Sequence, residues 1–146
     1  MPEQETIERA RRDKALGKSA STQAGEFVRE EIHHVREGKH GARSAKQAIA
    51  IGLSKTRRAG VKLKPPPKSA GPATRRQAAR DRAKSRSSKR PSPARARASR
   101  GALKRYGRSA ASPAALARQA RASAPRRTRS DRSAAARRAA RTRRSA

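Results

Sequence analysis

Three histidines and two adjacent glutamates are the residues whose chemistry could include metal binding or proton transfer. Glu30 and Glu31 precede His33 and His34, and His40 follows six residues later. Adjacent histidines on a helix point about 100° apart, so this pair does not chelate one ion together. The chain has no HExxH pattern and no cysteine, and the two glutamates are expected on a solvated helix face without a pocket. We therefore predict no metal site, no catalytic residue, no cofactor, no small-molecule substrate and no enzymatic activity.

Cationic side chains are the second chemical group, and they dominate the chain. The 146 residues include 41 Lys and Arg against 10 Asp and Glu, a formal net charge of +31. A charge of this size attracts polyanions. Lys and Arg bind nucleic acid by displacing counterions from its phosphates, and the planar fork of arginine fits a phosphate with two hydrogen bonds. The composition predicts a nucleic-acid partner, which we take to be DNA, although RNA would bind the same charges.

The charge is divided unevenly on either side of three consecutive prolines, Pro65, Pro66 and Pro67. Residues 1–64 contain 15 basic and 8 acidic residues, a net charge of +7, whereas residues 65–146 contain 26 and 2, a net charge of +24. Proline lacks a backbone N–H and disfavours a helical residue before it, so a helix should end before the triplet. We call residues 1–64 the helical head and residues 65–146 the basic tail.

Three helices are predicted in the helical head, over about 3–16, 22–37 and 45–59. The second begins near residues 21–22, and its apolar residues recur at the three- and four-residue spacing of one helix face. The third has a capping box, Ser44 with Gln47, and ends at Gly60. Two or three helices with so few large apolar residues form a small core. A homodimer through the helical head would enlarge that core, and the sequence leaves this open.

The basic tail consists mainly of Arg, Ala, Ser, Lys and Pro. Low hydrophobicity with high net charge is typical of disorder. Helix starts nevertheless recur at Pro72, at Ser112-Pro113 and at Ser130-Asp131. The predicted fold is thus a small all-α head of two to three helices followed by a largely disordered Arg/Ala/Ser/Pro-rich tail, whose nascent helices would fold on binding.

Phosphate neutralisation by the basic tail, with help from the outer face of the third helix, is the predicted binding mechanism. Sequence-specific reading is poorly supported, because Phe27 and Tyr106 are the only aromatic residues and cannot form a stacking platform. The candidate nucleic-acid-binding residues are Lys46, Arg57, Arg58, Lys62, Lys64, Arg75, Arg76, Arg80, Arg95, Arg97, Arg126, Arg127, Arg137, Arg138, Arg141, Arg143 and Arg144.

One segment also carries a resemblance to a known family. Residues 25–62, GEFVREEIHHVREGKHGARSAKQAIAIGLSKTRRAGVK, resemble an uncharacterised family of small basic bacterial proteins, some of which are labelled plasmid stabilisation protein. The shared pattern is a Phe-Val/Met-Arg-Glu helix, a Gly-Lys-x-Gly loop and a Ser-x-Lys-Gln-Ala-Ile-Ala-Ile helix that closes on Arg-Arg-Ala-Gly. The basic tail is similar in composition to the tails of linker-histone-like bacterial proteins. Together these resemblances imply a nucleoid- or plasmid-associated protein and offer no catalytic residues to carry over.

The predicted function is therefore nonenzymatic, mainly sequence-independent DNA binding. Two alternatives remain open: an RNA- or ribosome-associated protein, and a protein-interaction module of a plasmid-maintenance system that the tail tethers to nucleic acid. The N-terminus lacks the apolar run of a signal peptide, and no stretch approaches the roughly 20 apolar residues of a membrane span. We expect a soluble cytoplasmic protein located at the nucleoid.

Overall fold

Helices account for most of the chain in a computed structural model that describes residues 1–87 and 89–144. Its α-helices are α1 (Gln4–Ala15), α2 (Ala20–Glu37), α3 (Ala45–Arg58), α4 (Pro72–Lys84), α5 (Pro93–Lys104), α6 (Pro113–Ser123) and α7 (Arg129–Arg144). Short 3-10 turns occupy Lys68–Ala70, Ser109–Ala111 and Ala124–Arg126. The helical character predicted from the sequence is confirmed. None of the described helices is long and apolar enough to cross a membrane.

The prediction of a largely disordered tail is wrong, because α4, α5, α6 and α7 all lie within it. The composition argument considered large apolar side chains, which the tail lacks, and undervalued alanine. Alanine is the best helix former, and its small side chain packs wherever two helices approach closely. In the structure Ala78, Ala110 and Ala111 of the tail are buried, with Ala111 fully inaccessible to solvent.

The helical head is organised around the contact between α2 and α3. Phe27 and Val35 of α2 are almost fully buried, and α3 presents Ala45, Ala48 and Gly52 towards them. A side-chain carbon added at Gly52 would lie 2.8 Å from the Cα atom of Val28, which is closer than such carbons approach in proteins. Small residues on α3 therefore allow the two backbones to approach closely. Helix α1 also packs on α2.

Side-chain caps fix the starts of α2, α3, α6 and α7. The Oγ atom of Ser44 accepts a hydrogen bond from the Gln47 N–H at 3.2 Å, as the capping box predicts. Ser112 caps α6 in the same way, with proline as the first helical residue, also as predicted. Two starts differ from the prediction: α2 is capped by Ser19, just before the predicted start, and α7 begins after Thr128, which exchanges hydrogen bonds with the Asp131 carboxylate and N–H.

Backbone hydrogen bonds dock the middle of the basic tail onto the loop between α2 and α3. The Gly41 N–H donates to the Leu103 carbonyl at 3.1 Å, and the Ala42 N–H donates to the Gly107 carbonyl at 3.4 Å. The Arg36 side chain donates to the Ala111 carbonyl at 2.9 Å. One hydrophobic cluster consequently joins both parts of the chain, with Ile32, Val35, Ala42 and Ala48 from the head, Ala110 and Ala111 from the tail, and Val28 and Leu116 packed against it. The tail therefore completes the core of the head.

Candidate nucleic-acid interface

Solvent exposure is shared by nearly all of the predicted phosphate-binding residues. Arg57 is half-buried, and the other sixteen are exposed. The exposed ones are Lys46, Arg58, Lys62, Lys64, Arg75, Arg76, Arg80, Arg95, Arg97, Arg126, Arg127, Arg137, Arg138, Arg141, Arg143 and Arg144. They lie on or beside α3, α4, α5 and α7 and in the 3-10 turn after α6, so the structure distributes them over several elements.

Helix α7 has the densest run of these arginines. Arg137, Arg138, Arg141, Arg143 and Arg144 fall within its last two turns, and no residue of this helix is buried. At 1.5 Å per residue they span about 10 Å of helix axis. Duplex DNA carries about six phosphate charges over that length. The helix thus carries nearly as many cations per unit length as duplex DNA carries phosphates.

Helix α4 presents its arginines because its opposite side is docked. Ala78 and Asp81 are buried where α4 packs on α3. Arg76 and Arg80 lie roughly opposite these two residues on a helix of 3.6 residues per turn, and both are exposed. The packing of α4 therefore determines which of its arginines face solvent.

Asp81 holds α4 against α3. Its carboxylate accepts hydrogen bonds from the Ser54 hydroxyl at 2.7 Å, from Arg58 Nε at 2.8 Å and from the Gln77 amide at 3.1 Å. Burial alone would raise the pKa of Asp81, but these hydrogen bonds outweigh it and hold the pKa below its ordinary value of 3.8. Arg58 therefore has a structural contact, in addition to the phosphate-binding role predicted for it.

Buried carboxylates lie on α2, contrary to the expectation that Glu30 and Glu31 are solvated. Glu30 is 4% exposed and Glu31 is fully buried. Lys55 of α3 reaches across the helix pair, with its Nζ atom 2.9 Å from Glu30 Oε1 and 2.8 Å from Glu31 Oε2. Burial alone would lower the pKa of Lys55, but its close contacts with the Glu31 and Glu30 carboxylates raise it. Lys55 thus pairs with two buried carboxylates inside the protein. In the sequence, its position among the apolar residues of α3 was the feature that could have indicated buried acidic partners.

Two of the three histidines, His34 and His40, also contact carboxylates. The Nε2 atom of His34 lies 2.9 Å from Glu3 Oε1, and the Nε2 atom of His40 lies 3.0 Å from Glu31 Oε1. Glu31, His34 and His40 offer three potential metal ligands that lie within 4.8 Å of one another. His33, which the sequence placed beside His34, is exposed and outside this group.

Together, the helices and the exposed cations define the class of this chain, a strongly basic all-α protein. Within it, residues 11–69 are similar to a family of unknown function (DUF6496). That segment spans α2 and α3, and it includes the whole stretch on which the sequence resemblance rests. No match was found among curated proteins or among solved structures.

Proposed function

We propose that this is a nonenzymatic DNA-binding protein that acts mainly by sequence-independent neutralisation of phosphates, at the nucleoid or on a plasmid. The observation that carries the proposal is the uncompensated charge of the basic tail, 26 basic residues against Asp81 and Asp131. Both of these acids are already engaged within the protein, Asp81 with Arg58 and Asp131 with Thr128. Phosphates supplied by a polyanion would be the natural counter-charges of the remaining cations.

Ordered helices change how this binding would work. A disordered tail would have to become ordered on the nucleic acid and would lose binding free energy in doing so. Here α4 is already held on α3, and the segment around residues 103–111 is docked on the head. Arginines on these elements need only reorient their side chains to reach phosphates. The pre-formed arrangement favours affinity through lower ordering cost.

The scarcity of exposed aromatic residues favours contact with the backbone of a duplex over contact with unstacked bases. Single-stranded nucleic acid is commonly bound by stacking bases on exposed aromatic rings. Phe27 is only 1% exposed, because it packs in the core of the head, and Tyr106 is 39% exposed. One partly exposed tyrosine cannot line a strand of bases. We therefore expect binding to depend on the density of phosphates and very little on base sequence.

A competition titration with the full-length chain tests this proposal. Random-sequence duplex DNA, duplex RNA, single-stranded DNA and a non-nucleic polyanion such as heparin would each be titrated at several salt concentrations. We expect duplex DNA of unrelated sequences to bind equally and the affinity to fall steeply with salt. A clear preference for structured RNA would contradict the proposal and support the RNA-associated alternative. Recovery of a specific protein partner from nuclease-treated extract at high salt, without measurable DNA affinity, would support the interaction-module alternative.

A homodimer through the helical head stays a prediction. Its motive was the small core of residues 1–64, but the tail of the same chain contributes Ala110, Ala111 and Leu116 to that core. The need for a second copy is therefore smaller than the sequence indicated. Sedimentation equilibrium of the full-length chain with and without DNA measures the oligomeric state directly.

A further inference from the structure

Glu31, His34 and His40 form a compact group at the end of α2. Glu31 and His34 are three residues apart on the helix and therefore share a face. His40 returns to that face because Gly38 adopts a left-handed conformation, with φ +77°, which ends α2 and turns the chain. One ligand atom from each of Glu31, His34 and His40 lies within 4.8 Å of the other two. The fold therefore gathers two imidazoles and one carboxylate in one place.

Hydrogen bonds fix which nitrogen of each imidazole is free to bind a cation. The Nδ1 atom of His40 lies 3.0 Å from the Gly41 carbonyl oxygen, and a carbonyl only accepts, so Nδ1 carries the proton. The Nε2 atom of His40, which faces Glu31, then presents its lone pair in the neutral ring. His34 Nε2 lies 2.9 Å from the Glu3 carboxylate and donates to it, which leaves Nδ1 as the acceptor. Metal-binding histidines typically have such a carbonyl or carboxylate behind the ring.

Glu31 provides a second, independent indication of a cation. Its side chain is 1% exposed, and neither carboxylate oxygen accepts a hydrogen bond of good geometry. A buried carboxylate in this condition is costly. Lys55 Nζ approaches Oε2 at 2.8 Å, and Oε1 lies 3.0 Å from His40 Nε2, which carries a lone pair in the neutral ring and a proton in the charged ring. Two facing lone pairs repel each other unless a proton or a metal ion lies between them.

The charges around the group also favour a cation. Three carboxylates surround it, those of Glu3, Glu30 and Glu31, and two ammonium groups contact them, those of Lys39 and Lys55. Glu37 is a fourth carboxylate, because it also contacts Lys39. The local balance is thus two negative charges within a chain of net charge +31. A divalent cation would neutralise this local excess without displacing Lys55 from Oε2 of Glu31.

We propose that Glu31 Oε1, His34 Nδ1 and His40 Nε2 bind one divalent transition-metal ion, for which zinc is the best match. Two histidines and one glutamate are an established zinc ligand set that leaves the fourth tetrahedral position to water. Imidazole ligands disfavour magnesium and calcium, which select oxygen donors. Zinc bonds of about 2.0–2.2 Å place ligand atoms about 3.3 Å apart, so small side-chain rotations close the group around the ion.

The metal ion would act structurally, on the docking of the basic tail. His40 directly precedes Gly41, whose N–H donates to the Leu103 carbonyl at 3.1 Å. Fixing His40 to α2 through the ion fixes this loop against the segment that precedes the Ser109–Ala111 turn. The proposal does not depend on DNA binding, because it rests on the geometry of α2 and its following loop alone.

Titration of Zn²⁺ into the full-length, metal-free and nucleic-acid-free protein tests the proposal, with Co²⁺ as the spectroscopic probe. We expect one ion per chain and intense visible Co²⁺ bands of a tetrahedral site. His34→Gln and His40→Gln should each weaken Zn²⁺ binding at least about 10-fold, since even residues behind the ligands contribute about 10–100-fold. Glu3→Ala, which removes the partner of His34, should weaken binding within that range. His33→Gln is the matched control and should bind as tightly as wild type.

Two results would overturn the metal site. The first is a Co²⁺ spectrum that stays that of the hydrated ion in the wild-type protein. The second is an equal loss of Zn²⁺ affinity in His33→Gln and in His40→Gln, which would indicate scattered surface histidines. Glu31→Gln is unsuitable as the main variant, because it also removes one of the two carboxylates that pair with half-buried Lys55. The histidine variants replace side chains with only 12–13% exposure and leave both carboxylates that pair with Lys55 in place. Circular dichroism verifies that they retain their helices.

Discussion

Replacing Gly41 by alanine should weaken the docking of the basic tail on the helical head. A side-chain carbon at this position would lie 1.7 Å from the Tyr106 carbonyl oxygen and 2.3 Å from its carbonyl carbon. These are backbone atoms, so no side-chain rotation relieves the clash. The loop and the 103–107 segment have to separate, and the hydrogen bond from the Gly41 N–H to the Leu103 carbonyl lies in the separated region.

The magnitude follows from the contacts at this junction. Two backbone hydrogen bonds, from Gly41 and from Ala42, contribute about 0.5–1.5 kcal/mol each. If the separation spreads further, the charged hydrogen bond from Arg36 to the Ala111 carbonyl adds about 1.5–3 kcal/mol. We expect Gly41→Ala to lower the free energy of unfolding by about 1–3 kcal/mol if only the two backbone bonds break, and by about 2.5–6 kcal/mol if the Arg36 bond breaks as well. The stiffer unfolded chain of the variant offsets less than about 1 kcal/mol of this.

Urea unfolding followed by far-UV circular dichroism measures the loss, and hydrogen exchange locates it. The amides of Gly41 and Ala42 should exchange faster in the variant, together with the segment around Ala111. Gly101→Ala is the matched control, because a side-chain carbon there meets no atom within 4 Å. It should be neutral or stabilise α5 by up to about 1 kcal/mol. Equal stability and equal exchange in Gly41→Ala and wild type would refute the docking.

Three further substitutions address other contacts. Asp81→Asn should lower the free energy of unfolding by about 1–2 kcal/mol at neutral pH. Because the pKa of Asp81 is lowered in the folded state, the stabilisation by its carboxylate is present above the unfolded pKa near 3.8 and is lost as the pH falls further. The stabilities of variant and wild type, measured by urea unfolding, should therefore converge in acid. Gly52→Ala should lower the free energy of unfolding by up to about 2 kcal/mol, since crowding against Val28 exceeds the gain in helix propensity. Gly25→Ala is the control: it has open space around it and should not destabilise the protein in the same urea assay. Ser112→Ala should cost about 1 kcal/mol through loss of the α6 cap, measured by the same unfolding.

The elements that could be predicted from the sequence are those governed by local rules. Periodic apolar residues and the Ser44–Gln47 capping box predict helices over 22–37 and 45–59, and the structure has helices at Ala20–Glu37 and Ala45–Arg58. Ser112 followed by proline indicates the start of α6 equally well. Such signals depend only on residues a few positions apart, so they are present in the sequence itself.

Contacts between distant residues could not be predicted in the same way. The bonds from the Gly41 and Ala42 N–H groups end on backbone carbonyls of residues 103 and 107, and every residue has a carbonyl. Burial of Ala110 and Ala111 depends on where α2 passes, since alanine is equally common on helix surfaces. These are the reasons why composition indicated disorder in a tail that is helical and whose Ala78, Ala110 and Ala111 are buried.

The candidate sites were only partly accessible to sequence reasoning. Exposure of the cations follows from their number, because few acidic partners exist to bury them. The pairing of Lys55 with Glu30 and Glu31 depends on the crossing of α2 and α3. For the histidines, the adjacency of His33 and His34 did not indicate which side chains lie close together in the fold. The informative spacing was Glu31 to His34 along one helix face, with His40 returning past a helix-ending glycine.

The salt dependence of DNA affinity in a matched pair of α7 variants tests the central claim most directly. One variant replaces Arg137, Arg138, Arg143 and Arg144 by glutamine, and the other replaces the same four exposed residues by lysine. Each lost phosphate contact reduces the slope of log affinity against log salt by about 0.9. We expect the glutamine variant to have a slope shallower by about 3–4 and the lysine variant to keep the wild-type slope. An unchanged slope and affinity in the glutamine variant would contradict phosphate neutralisation by these arginines.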